Sequence, residues 1–188
     1  MKVYAQSPSD GFVFINTISD TDCKLLSTLL TGRSLNKHWI PFPVKFVTRG
    51  LNGRQLKASD APGFTPGELA LTEAARSVLG PYINECGEIL PLKCESADFY
   101  LLNITNIIDA LDESRSRIER YSSGRIMHIS EYIFNRAMLA NQFLFRISSF
   151  AASPIYFTDT AVEIWMRAGL RGLDFRLLWD DEADNEVG

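Results

Sequence analysis

Apolar positions recur at helical spacing in three stretches of the chain and alternate or cluster in several shorter ones. In residues 20–30, Cys23, Leu25, Leu26, Leu29 and Leu30 fit one helical face, with Ser19 or Asp20 to cap the start and Gly32 to end it. Residues 69–79 form the second predicted helix, with Ala74, Ala75, Val78 and Leu79 on one face and Gly80-Pro81 interrupting it. Residues 160–168 form the third, where Thr160 and Glu163 make an S/T-x-x-E capping box, Asp159 is an alternative cap and Gly169 is the stop.

The shorter apolar runs predict strands. Residues 2–5 and 11–15 flank the turn formers Ser7 to Gly11 and suggest an opening hairpin. Residues 39–47 are extended, but Pro41 and Pro43 remove two backbone donors, which confines the segment to a sheet edge or outside the sheet. Residues 87–94 and 99–104 should pair as an antiparallel hairpin across Glu95 to Asp98. Residues 126–134, 142–147, 154–157 and 173–179 complete the set, the last alternating with one face buried. Residues 51–66 read as a loop, 106–111 as a short helical turn and 114–124 as a polar connection. Strands outnumber helices and follow one another, which predicts an α+β fold with a largely antiparallel sheet and about three main helices. The length of 188 residues suits a single domain over residues 1–179.

Composition narrows the classes without choosing a function. With 46% apolar and 22% charged residues the chain is an ordinary globular one. No apolar run approaches the roughly 20 residues of a membrane helix, and residues 1–11 resemble neither a signal nor a transit peptide. A cytoplasmic protein with no membrane partner is expected. The net charge of -4 is uneven: residues 180–188 hold five acids and no base, which leaves the preceding residues at +1. A nearly neutral body argues against a nucleic-acid partner, and the acidic end reads as a disordered, solvated tail.

Sites with known chemical signatures are missing from the sequence. His38 and His128 have no metal-ligand spacing, and no nucleophile elbow, P-loop or dinucleotide fingerprint is present. Cys23, Cys86 and Cys94 have no C-x-x-C spacing and are read as reduced core residues. Asp109, Asp112 and Glu113 could hold a divalent cation, or pair with Arg115, Arg117 and Arg120 nearby. The same arginines with Tyr121 and Arg125 could grip a phosphate or an acidic surface, or form a solvated loop. Trp39, Phe42 and Phe46 are either buried aromatics or an exposed edge open to a partner. No catalytic, cofactor or metal residues are assigned.

Residues 87–94 (Gly-Glu-Ile-Leu-Pro-Leu-Lys-Cys), followed by Phe99-Tyr100-Leu101-Leu102-Asn103-Ile104-Thr105 and Ile108-Asp109-Ala110-Leu111-Asp112, look like the central signature of a bacterial immunity domain. The close, Ile155 to Asp159 and then Ala168-Gly169-Leu170-Arg171-Gly172-Leu173 through Trp179, resembles the same family, the Imm-eleven-like domain of polymorphic toxin systems. Ser59-Asp60-Ala61-Pro62-Gly63 matches its approach to the middle helix, so the resemblance runs over residues 59–179 and leaves 1–58 unplaced. It implies a non-enzymatic immunity (antitoxin-like) protein of interbacterial competition that binds and neutralises a cognate toxin encoded by a neighbouring gene. The alternatives are an enzyme acting on a nucleotide or phosphorylated substrate and a secretion-associated adaptor or chaperone. Residue type and edge or loop position nominate Trp39, Phe42, Arg115, Arg117 and Tyr121 as partner contacts. The oligomeric state is open.

Overall fold

The computed structural model describes residues 1–64, 67–150 and 153–184. The side chains of Cys23, Leu25 and Leu29 and the end of the acidic tail, residues 185–188, lie outside the described residues, as do the core reading of Cys23 and the reading of that end. In chain order the elements are β1 (Lys2–Pro8), β2 (Phe14–Thr17), α1 (Asp20–Leu29), β3 (Val44–Val47), β4 (Leu69–Thr72), α2 (Glu73–Ile83), β5 (Gly87–Pro91), β6 (Phe99–Ile104), β7 (Ile107–Ile108), β8 (Arg117–Arg120), β9 (Ile126–Glu131), α3 (Arg136–Leu139), β10 (Leu144–Ile147), β11 (Tyr156–Thr158), α4 (Asp159–Arg167), β12 (Leu173–Asp180) and α5 (Asp181–Asp184).

A five-stranded sheet in the order β12-β1-β11-β10-β7 is antiparallel except for the β10–β7 pair. A three-stranded antiparallel sheet runs β4-β6-β5, and β2–β3 and β8–β9 are two-stranded antiparallel ribbons. The fold is mixed, with mostly antiparallel pairing, as the pattern predicts. The β5–β6 hairpin forms in the expected place, with Ile89 opposite Leu102. Gly87 is required there, because a Cβ would overlap the backbone of Asn103 on β6.

Several local readings are corrected. Residues 2–5 and 11–15 do not form a hairpin: both edges of β1 are taken by β11 and β12, and β2 pairs with β3. The start of the second predicted helix is strand β4, its buried Leu69, Ala70 and Leu71 facing β6, since short apolar runs do not reveal their period. Helix α2 begins only at Glu73, where the Thr72 hydroxyl accepts from the Ala75 amide. It runs through Gly80-Pro81 because its apolar stripe, Ala75, Leu79 and Ile83, continues into the core beyond them. Residues 107–108 are a strand, not a helical turn. Residues 117–120 are also a strand, of which only Ile118 reaches the aromatic cluster, beside the buried Ile126 and Ile129 of β9. The capping box of the third helix does not form. α4 starts one residue earlier, Asp159 Oδ1 accepts from the Thr160 amide at 3.0 Å, and Glu163 pairs with Arg167 at 2.9 Å. A register shift after Leu177 breaks the alternation of β12 and puts Trp179 beside Val3 in the aromatic cluster, while Leu177 is exposed. The acidic end begins inside the fold: Asp180 pairs with Lys2 at 3.0 Å, and the buried Asp181 pairs with Arg136 at 3.1 Å.

Three apolar clusters fill the interior. α2 and α4 pack Leu79, Ile83, Ala161 and Trp165 onto Leu71, Leu102 and Phe157. A second cluster is aromatic, with the Phe134 ring 5.9 Å from each of Phe145, Tyr156 and Trp179. The third joins Ile15, Leu26, Phe42 and Val44 from the N-terminal third to Leu90, Phe99 and Leu101 of the smaller sheet. The two family-like ends also meet: the Asp60 amide donates to the Arg171 carbonyl at 2.8 Å, and the Arg171 amide donates to Asp60 Oδ2 at 2.8 Å. Gly172, at φ +103°, lies so close to Ser59 that a Cβ would overlap it.

One polar group fastens the N-terminal third to the smaller sheet. Glu88 of β5 is only 8% exposed. Its carboxylate accepts from the Leu35 amide at 2.8 Å, the Asn36 amide at 3.4 Å, the Ser34 hydroxyl and Asn103 Nδ2 at 3.0 Å. The same Asn103 amide donates to the Arg33 carbonyl at 2.9 Å. Burial pushes the Glu88 carboxyl up, but the donors from Leu35, Ser34, Asn103 and Asn36 outweigh it and hold it below the ordinary carboxylate value.

Two outcomes are expected. Phe134→Ala should lower the unfolding free energy by about 3–5 kcal/mol in urea titration, because it empties the centre of the aromatic cluster. Glu88→Gln should cost about 2 kcal/mol, because an amide presents an N–H where the loop supplies only donors. A depressed carboxylate stabilises the fold above its unfolded value and loses that contribution as pH falls through the folded one. Wild-type stability should therefore drop on the acid side of 4.5 more steeply than that of Glu88→Gln, read by thermal melts across pH.

Candidate functional site

From Ser34 to Val44 the chain lies beside β5 and its continuation to Lys93. Glu88 holds the first part. Further along, the Trp39 indole N–H donates to the Pro91 carbonyl at 2.7 Å. The Lys93 amide then donates to the Phe42 carbonyl at 2.7 Å, and the Val44 amide donates to the Lys93 carbonyl at 2.9 Å. Pro41 and Pro43 fit here because the segment borders the sheet edge and its two missing donors break no ladder. The result is a rigidly fastened surface segment rather than a regular strand.

Its outer side is apolar. A groove of about 320 Å³ is lined by Asp22, Leu35, His38, Trp39, Ile40, Pro41, Phe42 and Pro43. Ile40 is 79% exposed, and Trp39 is half-buried with its ring 5.3 Å from that of Phe42. Phe42 itself is only 7% exposed and belongs to the third cluster. Its ring packs against Trp39 and forms part of the groove wall as well as of the core. Ile40 is the residue that the sequence reading passed over. The signal was a large apolar side chain in a proline-bearing edge segment that cannot alternate into a sheet.

Arg115, Arg117 and Tyr121 lie elsewhere, on and before the β8–β9 ribbon, and all three are exposed. Arg120 pairs with Glu113 and donates to the Gly124 carbonyl at 2.9 Å, while Arg125 lies over the Tyr121 ring at 5.8 Å. Arg117 stands opposite Glu131 across the ribbon. This ribbon rests on the aromatic cluster and the Trp39 segment on the third cluster, so the five nominated residues do not form one site.

The neighbouring acids have structural employment. Asp112 Oδ1 accepts from the Ser114 hydroxyl at 2.6 Å and from the Ser114 and Arg115 amides at 3.0 and 3.2 Å, which closes a turn and holds its carboxyl below the ordinary value. Glu113 faces Arg120, and Asp109 lies 3.5 Å from the Ser148 hydroxyl. Among the described residues, no three His, Cys, Asp or Glu side chains converge so as to hold a metal ion. Burial pushes the Cys86 thiol up to about 11, which leaves it unreactive at neutral pH. A polar cleft of about 580 Å³ beside α2 contains Arg76 and Glu88, but Arg76 is already bound to Glu73 at 2.7 Å and stacked 4.8 Å over Tyr100.

No described helix is long and apolar enough to cross a membrane. No curated protein matches the chain. The model of the Immunity protein family (Imm11) matches residues 86–179. The match starts at Cys86 rather than at Ser59, and it takes in β5 to β12 and both residues, Glu88 and Asn103, that fasten the N-terminal third. With half of its length matched, the chain belongs to the Imm11 immunity protein family.

Proposed function

We propose that this protein is a non-enzymatic immunity protein that binds and neutralises a cognate toxin, encoded by a neighbouring gene, in the cytoplasm of the producing bacterium. Membership of the Imm11 family is the observation that carries the reading. The groove around Trp39 and Ile40 is the primary contact, and the Arg115, Arg117 and Tyr121 ribbon is a secondary one. An exposed isoleucine beside a pinned tryptophan suits a partner's apolar anchor, because the segment is ordered before binding and little entropy is lost on contact. An interface of roughly 1,600 Å² would extend well beyond this groove.

Growth of cells expressing the neighbouring toxin, with and without this protein, tests the reading, together with co-purification of the pair. Rescue with a stable complex is the expected result. A complex without rescue would support an adaptor role, and neither rescue nor complex would overturn the proposal. Ile40→Glu should weaken the complex by roughly tenfold or more while leaving the melting temperature unchanged. Arg117→Ala and Tyr121→Ala should have smaller effects, measured by calorimetry on the same pair.

A further inference from the structure

Strand β12 is the longest in the fold, and β1 is its one neighbour among the described residues. Its outer edge therefore carries a row of backbone N–H and C=O groups with no strand beside them, a template for another strand. Residues 173–177 keep a regular register with β1, and the irregularity comes only after Leu177. The regular part has two distinct faces. Leu173, Phe175 and Leu177 share the face covered by α4, with the Phe175 ring 6.1 Å from Trp165 and 5.2 Å from Phe157. Phe175 is only half-buried and Leu177 is 47% exposed, so that face is unfinished at its outer margin. Asp174 and Arg176 lie exposed on the opposite face.

We infer that β12 pairs antiparallel with β12 of a second copy of this chain, through a two-fold axis at Phe175. The charges select this register. With Phe175 opposite Phe175, each Asp174 faces an Arg176 of the other copy, and each Leu173 faces a Leu177. Moving the axis by one residue in either direction places Asp174 against Asp174 or Arg176 against Arg176, which is unfavourable for directly opposed residues. A two-fold axis perpendicular to the sheet keeps both α4 helices on one face and joins the two five-stranded sheets edge to edge. The same pairing brings Leu177 of one copy beside Leu173 of the other and covers the unfinished apolar margin. The opposite face closes with two symmetric ion pairs.

Sedimentation equilibrium of the full chain tests the inference, with circular dichroism to confirm that each variant folds. The wild type should form a dimer at about 100 μM. Asp174→Arg and Arg176→Asp should each raise the dissociation constant by roughly tenfold or more, since each replaces two attractive pairs with two repulsive ones. The double variant Asp174→Arg/Arg176→Asp should dimerise like the wild type, because reversing both charges restores the pairing. A monomeric wild type would overturn the inference, as would dimers indifferent to the single reversals. If the wild type is monomeric and the same reversals weaken its complex with the toxin, the edge belongs to the toxin and self-pairing is excluded.

Discussion

A carboxylate taken out of water needs donors, and Glu88 obtains nearly all of its donors from a stretch of chain more than fifty residues away in sequence. That requirement makes residues 33–36 a fixed part of the fold. Once they are fixed, Trp39 reaches Pro91, Phe42 reaches its place under the tryptophan, and the proline-bearing segment is held against the sheet edge. The family-matched half of the molecule thus supplies the anchor, and the N-terminal third supplies the surface that it presents. Asn103 serves both sides, bonding the carboxylate and the Arg33 carbonyl with one amide.

This division separates the ties of the segment from the side chains that point away from them. A loop that is tied down at Glu88, Pro91 and Lys93 can exchange the side chains pointing outward, such as Ile40, without disturbing those ties. The β8–β9 ribbon is built differently. Arg120 is paired with Glu113 and Arg117 has Glu131 as its register partner, so acids lie among the ribbon's arginines.

The sequence shows the elements that bury a clean periodic face and obscures those that do not. The β5–β6 hairpin and α4 could be placed from their apolar spacing because α4 has one wet and one dry side and the hairpin a clear turn between partners. β4 could not, since a strand buried on both faces has no period, and β8 could not, since a four-residue strand with one half-buried side chain shows none either. The opening strands were misjoined because adjacency in sequence favours a hairpin and nothing local reveals that β1 is claimed by strands near residues 156 and 173–180. At the candidate site, Trp39 was nominated on residue type, whereas the burial of Phe42 and the exposure of Ile40 depend on which side of one segment meets the core. Side-chain direction in an irregular segment is set by tertiary ties such as the Trp39–Pro91 bond, which leave no periodic trace.

The position of β1 has a consequence in time. It precedes both of its neighbours by about 150 to 180 residues. Until they emerge, its apolar Val3 has no aromatic cluster to join, and the nascent chain must keep that strand out of wrong pairings. Contacts so distant in sequence close slowly, because a long loop must be ordered before they form. Each new molecule therefore passes through an interval in which the smaller sheet can fold but the larger one is incomplete.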